Sequence, residues 1–294
     1  MLPPGIFIMD GGPDRLCALH PSWDEDIRFF GPWEREGGMW RSASDCASSI
    51  VVVEECETTM ETARRLVKDG LLGEWGAVVG GVQTGGRGQL RRPWVSLPGN
   101  LHASVLLPDP PAGGAWAEAL SALLPLVVGY MACVALEELG VSPELKWPND
   151  ILQSGRKVGG MLIEERDGKV ILGLGLNLAG CPAEAEMRED HSAPAGRLAI
   201  PSLPGGALTL LEALVSRGKS VYAIMLDEIP PTRFIAMIER RLAWMGRTIL
   251  VREGNEAPFE ATVSGLSPDG GLVVLRGEEE TVLYSGSIFP LGVP

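Results

Sequence analysis

The amino-acid sequence predicts an α+β protein that ends in a small all-β unit. Between residues 47 and 244, apolar runs with the length of buried strands alternate with segments of helical spacing. After residue 245, short strand patterns follow one another with glycine-containing turns between them. Hydrophobic residues make up 45% of the 294 residues and charged residues 21%, which is ordinary globular usage and excludes a disordered chain.

The first segment, residues 1–46, is predicted to be an irregular extension. It carries Trp23, Trp33 and Trp40 among proline, glycine and acidic residues, without helical periodicity. We expect the indole rings to hold it against the rest of the chain. A helix-turn-helix needs two amphipathic helices around a short turn, so the segment is not predicted to be one.

Residues 47–244 are predicted to form the main domain. Thr58 and Thr59 precede a helical pattern, where threonine hydroxyls can cap the free backbone amides. The patterns predict strands over 50–54, 75–82, 101–107, 144–147, 159–164 and 169–178, and helices over 60–68, 116–139, 208–216 and 233–244. A loop rich in proline, alanine and glycine joins the last strand to the third helix.

Residues 245–294 are predicted to form a small β-barrel. Strand patterns occur over 248–252, 259–264, 271–275 and 280–284. Strands this short at regular spacing are typical of a barrel of roughly 50 residues. Seven acidic side chains against three basic ones disfavour nucleic acid, so we expect the barrel to serve the main domain or its partner.

Charge and cysteine usage restrict the function classes. Lysine plus arginine total 25 and aspartate plus glutamate 38, and a net charge of −13 repels nucleic-acid phosphates. The five cysteines are scattered without a CxxC pair, which is typical of reduced thiols and not of a zinc site. We expect no secretory leader, because the first residues show neither a basic region nor a sustained apolar stretch, and we expect no membrane span, because the longest apolar run is short. We expect a cytoplasmic protein with no nucleic-acid or membrane partner.

The first candidate site segment is the glycine- and arginine-rich stretch 83–94. Its glycines, Gly85, Gly86 and Gly88, let backbone amides approach a ligand closely. Its arginines supply forked donors for a phosphate or carboxylate. The stretch suits an anion such as a nucleotide phosphate, although a solvated basic loop between strands has the same composition.

Three further segments combine polar groups with strands. Lys146–Asp150 places a lysine, an amide and a carboxylate at a strand end, where the carboxylate can hold Mg²⁺; a structural turn is the alternative. Lys157 opens an apolar strand and can aim its charge at a reaction centre, or lie on the surface beside a hairpin turn. Asn177 in an apolar strand must satisfy its amide in the core or on a ligand.

The order of these segments resembles the biotin–protein ligases, that is, the biotin–[acetyl-CoA-carboxylase] ligases. A strand before a threonine pair, then QTGGRG, GNL, KWPND, GRK and GLGLNL follow that family's order over about residues 50–290. The resemblance implies a mixed β-sheet catalytic domain with packed helices, of the biotin/lipoate ligase and class II synthetase-like kind, with an SH3-like C-terminal barrel. It implies a member without the N-terminal DNA-binding domain that some relatives carry.

Each family position carries over to one residue of this chain. The resemblance implies a set of biotin-binding residues: Thr58, Thr59, Gln83, Gly86, Arg87, Gly88, Lys157 and Gly160. It implies a set of ATP- or adenylate-binding residues: Gln89, Trp94, Lys146, Asn149 and Asn177. Catalytic roles fall to Lys157, Asp150 and Arg87, and Asp150 is also a candidate Mg²⁺ ligand.

Three positions depart from the family pattern. Gln89 stands where the family has an arginine that helps to retain the adenylate, which implies a weaker hold on that intermediate. Met60 replaces an asparagine, so one polar group is missing at the biotin end. His102 stands where a tyrosine is common. None of the three removes a residue with an implied catalytic role.

The resemblance implies an ATP-dependent biotin–protein ligase that uses ATP, Mg²⁺ and biotin. Such an enzyme forms biotinyl-AMP and transfers biotin to a lysine of a biotin carboxyl-carrier protein or domain; a homodimer is compatible with the sequence. Two alternatives stay open. A lipoate or other acyl-protein ligase would share the fold and the adenylation chemistry, and a binding protein would hold biotin or biotinyl-AMP without transferring it.

Overall fold

The computed structural model describes residues 1–89, 92–183, 193–254 and 257–291, which form a ten-stranded mixed sheet and a five-stranded antiparallel sheet. The strands are β1 (Gly5–Met9), β2 (Trp33–Glu36), β3 (Met39–Ser42), β4 (Ser49–Cys56), β5 (Ala77–Gln83), β6 (Leu101–Leu106), β7 (Pro143–Lys146), β8 (Asp150–Gln153), β9 (Arg156–Arg166), β10 (Lys169–Leu176), β11 (Thr248–Arg252), β12 (Phe259–Leu266), β13 (Leu272–Arg276), β14 (Glu279–Leu283) and β15 (Ser287–Pro290). The helices are α1 (Pro13–Cys17), α2 (Pro21–Phe29), α3 (Thr59–Lys68), α4 (Ala115–Glu138), α5 (Ala207–Glu228) and α6 (Pro231–Glu239).

The larger sheet has the order β2-β3-β1-β4-β5-β6-β10-β9-β8-β7 and carries helices on both faces. The β1–β4 and β4–β5 pairs are parallel, and the others are antiparallel. Alternate residues of β4 point to opposite faces, so Ile50 and Val52 join the core under α4 and α5, while Val51 and Val53 join the core under α3. The prediction of a mixed sheet with packed helices is confirmed.

Residues 1–46 extend this sheet, so the prediction of an irregular extension was wrong. β1 pairs in parallel with β4, and the β2–β3 hairpin continues the sheet beyond β1. The hairpin turns at Gly37 and Gly38, whose φ angles of 56° and 89° favour glycine. A five-residue strand and two four-residue strands are too short to show a clear period in the sequence. Trp23 of this segment is fully buried, as expected of an anchoring indole.

Helix α4 is long and apolar enough to cross a membrane, judged by length and composition alone, so the prediction that the longest apolar run is too short was wrong. In the fold it packs against α5, α6 and the strands β7–β9, and 61% of its most apolar window is buried. Gly129 allows a close approach to β7, because a Cβ at that position would lie 2.8 Å from Leu145 Cδ1. Burial on several sides accounts for the apolar composition of this helix.

The smaller sheet has the order β14-β13-β12-β11-β15, one strand more than the sequence predicts. The additional strand, β15, has only four residues and ends at a proline, which weakens its strand pattern. Trp147 Nε1 donates to the Gly270 carbonyl at 3.0 Å and so joins this sheet to the main domain. Closure of the sheet into an SH3-like barrel stays a prediction.

Candidate active site

A cavity of about 520 Å³ opens beside the N-terminus of α3 and over the strands β9 and β10. It brings together most of the residues that the sequence predicts for the site: Thr58, Thr59, Gln83, Arg87, Gly88, Gln89, Trp94, Lys146, Asn149, Asp150, Lys157, Gly160 and Asn177. Gly86 lies next to this lining. Two residues of the C-terminal unit, Gly286 and Ser287, also line the cavity, so that unit contributes a wall.

The threonine pair joins α3 to the end of β5. Thr58 caps the helix as predicted, since its Oγ1 accepts from the Glu61 amide at 3.1 Å. The Thr59 amide donates to Gln83 Oε1 at 2.8 Å, and the Thr59 hydroxyl lies 2.8 Å from Ser104 Oγ. Gln83 Nε2 donates in turn to Ser96 Oγ at 3.1 Å. These bonds fix the polar end of the cavity before any ligand arrives.

The glycine- and arginine-rich stretch folds back on itself. The Gly88 amide donates to the Arg92 carbonyl at 2.8 Å, and the Trp94 amide donates to the Gly86 carbonyl at 2.9 Å. A Cβ on Gly86 would lie 2.9 Å from the Trp94 carbonyl oxygen, so the close approach of two chain segments requires glycine here. Arg87 is half-exposed and lies 3.4 Å from Glu61 Oε1. Two residues of this stretch, Leu90 and Arg91, lie outside the described residues.

Two lysines converge on one carboxylate at the β7–β8 hairpin. Lys146 Nζ donates to Asp150 Oδ2 at 2.6 Å, and Lys157 Nζ lies 2.6 Å from Asp150 Oδ1. The β8 strand begins at Asp150, where the sequence predicted no strand and allowed a structural turn as the alternative, because Pro148 and Asn149 are typical turn residues. A Cβ on Gly160 would lie 3.5 Å from Asp150 Oδ1 and 3.7 Å from Lys157 Nζ, in ordinary van der Waals contact, so Gly160 borders this cluster.

The electrostatics of this cluster favour a charged carboxylate. Burial raises the pKa of Asp150, but the ammonium groups of Lys157 and Lys146 outweigh burial and hold that pKa below its ordinary value. Burial lowers the pKa of Lys146, and its bond to Asp150 opposes the shift. The side chain of Lys157 is one-third exposed while those of its two partners are about one-tenth exposed, so Lys157 is the cation that reaches into the cavity.

The fit of this cluster to Mg²⁺ is poor. Among the residues that the structure describes, no three His, Cys, Asp or Glu side chains converge on one point. Both oxygens of Asp150 already contact ammonium groups, which a nearby dication would repel. The arrangement therefore does not favour Asp150 as the Mg²⁺ ligand. Mg²⁺ binds oxygen ligands and is commonly held by substrate phosphates.

Trp94 is held by His102, which the sequence identified only as a departure from the family pattern. Trp94 Nε1 lies 3.4 Å from His102 Nδ1, and His102 Nε2 lies 3.2 Å from the Leu97 carbonyl. These contacts fit a neutral ring that accepts at Nδ1 and donates at Nε2. Trp94 lies over Gly175, where a Cβ would come within 2.6 Å of the indole, so glycine makes room for the ring.

The buried imidazole predicts a specific dependence of stability on pH. Burial lowers the pKa of His102 from 6.5 to about 4. The unfolded chain therefore binds this proton more readily than the folded chain, and stability is lost as the pH falls from 6.5 towards 4. We expect the free energy of unfolding to fall between pH 7.5 and pH 5 by about 2 kcal/mol more in the wild type than in the His102→Gln variant. Denaturant unfolding at both pH values measures this difference, and parallel pH profiles would refute the assignment.

Asn100 lies in the GNL segment, but the sequence assigned it no role; its side chain is fully buried beside the cavity wall. Its Oδ1 accepts from the amides of three consecutive residues, Leu178, Ala179 and Gly180, at 2.9, 2.9 and 3.0 Å. Its Nδ2 donates to the Gly180 carbonyl at 2.9 Å and lies 3.5 Å from Asn177 Oδ1. The partners lie almost 80 residues away along the chain, so no local pattern shows them.

Comparison with known proteins extends this picture. Residues 52–179 match the model of the biotin/lipoate A/B protein ligase family. A biotin–[acetyl-CoA-carboxylase] ligase of Paracoccus denitrificans is 31% identical over 209 residues, which cover 66% of this chain and 81% of that protein. The chain belongs to the biotin–[acetyl-CoA-carboxylase] ligase family. The resemblance inferred from the order of the segments is thereby confirmed.

Other members of this ligase family match to different extents. The bifunctional ligase/repressor BirA of Bacillus subtilis is 35% identical over 136 residues, which cover 44% of this chain and 40% of that protein. A biotin protein ligase from Aquifex aeolicus, solved in complex with biotin and ATP, is 26% identical with a TM-score of 0.62 and covers 81% of this chain and 97% of its own. A biotin protein ligase from Leishmania major, solved in complex with biotinyl-5-AMP, is 25% identical with a TM-score of 0.53. The match covers 84% of this chain and 100% of that one.

Proposed function

We propose that the chain activates biotin with ATP as biotinyl-AMP and transfers the biotinyl group to a lysine of a biotin carboxyl-carrier domain. One observation carries this proposal: a single cavity joins the arginine-bearing glycine loop, the lysine–carboxylate cluster and the capped N-terminus of α3. Biotin and ATP occupy the family member from Aquifex aeolicus, and the relative from Paracoccus denitrificans is named for the same transfer.

In the first step, an oxygen of the biotin carboxylate attacks the α-phosphorus of ATP. The new C–O–P bond gives the mixed anhydride, and the bond from the α-phosphorus to the bridging oxygen breaks as pyrophosphate leaves. Negative charge grows on the phosphate oxygens, and Lys157 and Arg87 are the two cavity-lining cations proposed to meet it. Mg²⁺ would arrive on the phosphates of ATP and not on Asp150.

In the second step, a neutral lysine amine of the acceptor attacks the carbonyl carbon of the anhydride. The C–N bond of the amide forms, the bond from the carbonyl carbon to the AMP oxygen breaks, and the nitrogen releases one proton to the solution as AMP leaves. Asp150 is proposed to orient groups in this step and not to act as the base. Its pKa lies below the ordinary value, and a carboxylate that holds its proton so weakly is a poor base. Its two bonds to Lys146 and Lys157 fit a positioning role.

The proposal also covers the acceptor, the cellular compartment and the residues that hold each substrate. The acceptor is a biotin carboxyl-carrier protein or domain, and the enzyme acts in the cytoplasm, in agreement with five free cysteines. A homodimer remains a prediction. Gln83, Thr59 and the α3 N-terminus are assigned to the biotin ring, and Trp94 and Asn177 to the adenylate; each of these residues lines the cavity.

The test is incubation of the purified chain with ATP, Mg²⁺, labelled biotin and a biotin carboxyl-carrier domain. We expect label on the acceptor only when ATP is present, and none on a matched acceptor whose target lysine is arginine. Labelled lipoate in place of biotin tests the closest alternative. Formation of biotinyl-AMP without transfer to the acceptor would support only the adenylation step. Binding of biotin without release of pyrophosphate would indicate a binding protein that is not an enzyme.

Gln89 is expected to let biotinyl-AMP escape. It lines the cavity with a neutral amide, and a guanidinium fork forms stronger bonds to phosphate. Release of preformed, labelled biotinyl-AMP into an excess of unlabelled intermediate should slow about tenfold in the Gln89→Arg variant, equivalent to about 1.4 kcal/mol. Gln89→Ala is the matched control and should release at least as fast as the wild type. Equal or faster release from the Gln89→Arg variant would overturn the assignment.

A further inference from the structure

The loop that carries Asn100 is supported by the N-terminal segment. Gly99 has a φ of 81°, and a Cβ there would lie 2.5 Å from His20 Nδ1, so the imidazole packs directly on this glycine. His20 is itself fixed, because its Nδ1 accepts from the Ser22 amide at 3.1 Å and lies 2.8 Å from the Ser22 hydroxyl. The turn that ends in Asn100 is therefore held from outside by residues of the 1–46 segment.

From this turn, Asn100 holds the chain where it leaves β10. Three amides of residues 178–180 converge on its Oδ1, and its Nδ2 returns a bond to the Gly180 carbonyl. Leu97, in the same turn, packs on Gly180, where a Cβ would lie 2.9 Å from Leu97 Cδ1. A buried side chain with this many backbone partners fixes the segment in one conformation.

The segment fixed in this way forms a cavity wall next to Lys157. Asn177 lines the cavity, and its Nδ2 donates to the Gly196 carbonyl at 3.1 Å. The Gly196 amide donates to the Lys157 carbonyl at 2.9 Å, and the Lys157 amide donates to the Pro194 carbonyl at 2.8 Å. Because Asn177 is assigned to the adenylate, this wall is placed on the nucleotide side of the reacting atoms.

We propose that Asn100 is a positioning residue for ATP, and that His20 supports it through Gly99. The inference rests on the proposed function for the nature of the nucleotide. Asn100 touches no reacting atom in this assignment; it sets the place of Asn177 and residues 178–180. Loss of this support weakens ATP binding more than biotin binding, because Thr59 and Gln83 at the other end of the cavity have partners of their own.

The experiment compares Asn100→Ala, Asn100→Asp and the wild type in biotin-dependent exchange of pyrophosphate into ATP. We expect Asn100→Ala to raise KM for ATP about tenfold while KM for biotin stays within twofold. Asn100→Asp keeps an oxygen acceptor for the three amides but turns its second oxygen towards the Gly180 carbonyl, so it should recover only part of the loss. A merely structural role would lower the amount of active enzyme and change neither KM. Equal rises in both KM values would overturn the proposal.

Two further measurements keep the result decisive. Hydrogen exchange of the amides of residues 178–180 should be at least a hundredfold faster in Asn100→Ala, and unchanged exchange there would overturn the proposal whether or not the enzyme adenylates biotin. Asp26→Asn is the control for general destabilisation. Asp26 belongs to the same N-terminal segment as His20, but it bonds to the start of α5 and not to the turn that carries Asn100. If Asn100→Ala does not fold, His20→Ala is measured instead, with an expected threefold rise in KM for ATP alone. If the wild-type protein does not exchange pyrophosphate into ATP, the proposed function is refuted, whereas the role of Asn100 in fixing the cavity wall is tested by hydrogen exchange alone.

Discussion

Replacing Lys157 with alanine is expected to lower the rate of biotinyl-AMP formation a hundredfold or more. The ammonium group is held 2.6 Å from Asp150 Oδ1 and is still one-third exposed to the cavity, so it is in place before the substrates bind. A preorganised charge of this kind typically contributes about 10²–10³ in rate when it meets charge that grows in the transition state. The loss should appear in the turnover rate, since the growing phosphate charge is greatest in the transition state.

The Lys157→Ala variant should fold like the wild type, so a lower rate of adenylation can be assigned to the missing ammonium group. Asp150 keeps its bond to Lys146 at 2.6 Å, so the buried carboxylate is not left without a cation. Lys169→Ala is the matched control, because Lys169 pairs with Asp109 at the surface, at the start of β10. Pyrophosphate exchange should fall only in the Lys157 variant, while circular dichroism and thermal unfolding stay close to the wild type in both. Adenylation near the wild-type rate without Lys157 would remove it from the mechanism.

The candidate segments can be picked out of the sequence because each is short and chemically unusual. Lys146, Asn149 and Asp150 lie within five residues, and Lys157 follows after one hairpin. Turn residues and glycines flank these residues at the ends of predicted strands, and the lysine charges indicate an anionic ligand. What the sequence alone does not show is that Asp150 holds both lysines, since this depends on the register between β7, β8 and β9.

The missed features depend on contacts between distant parts of the chain. Asn100 meets Leu178 across 78 residues, and Asp26 meets Gly206 across 180 residues. Asn100 lies in the GNL segment, but neither its sequence neighbours nor those of Asp26 indicate partners so far away along the chain. The strand β1 was missed for a related reason: five apolar residues become a strand only because β4 and β3 pair with them on both sides.

Replacing Asp26 with alanine is expected to lower the free energy of unfolding by about 3 kcal/mol. Asp26 is fully buried in the N-terminal segment and caps α5 from a distant point of the chain. Asp26 Oδ1 accepts from the Gly206 amide at 2.8 Å and from the Thr209 amide at 3.0 Å. The same oxygen accepts from the Thr209 hydroxyl at 2.6 Å, and Oδ2 accepts from the Leu208 amide at 2.9 Å. Burial raises the pKa of this carboxyl, and the same hydrogen bonds oppose that rise. Alanine would leave these donors buried without their acceptor at a helix N-terminus, where a carboxylate also interacts favourably with the helix dipole.

Thermal unfolding measures this effect, and two variants separate its causes. The midpoint should fall by roughly 5–10 °C in Asp26→Ala. Asp26→Asn keeps one acceptor oxygen but turns an N–H₂ group towards the Leu208 amide, so an intermediate loss of about 1–2 kcal/mol is expected. Asp24→Ala is the matched control on the same helix, because Asp24 forms an exposed ion pair with Arg28, and such pairs contribute about 1 kcal/mol or less. An Asp26→Ala midpoint no lower than that of Asp24→Ala would mean that the N-terminal segment is held by its strands and by Trp23, and that the cap on α5 contributes nothing measurable.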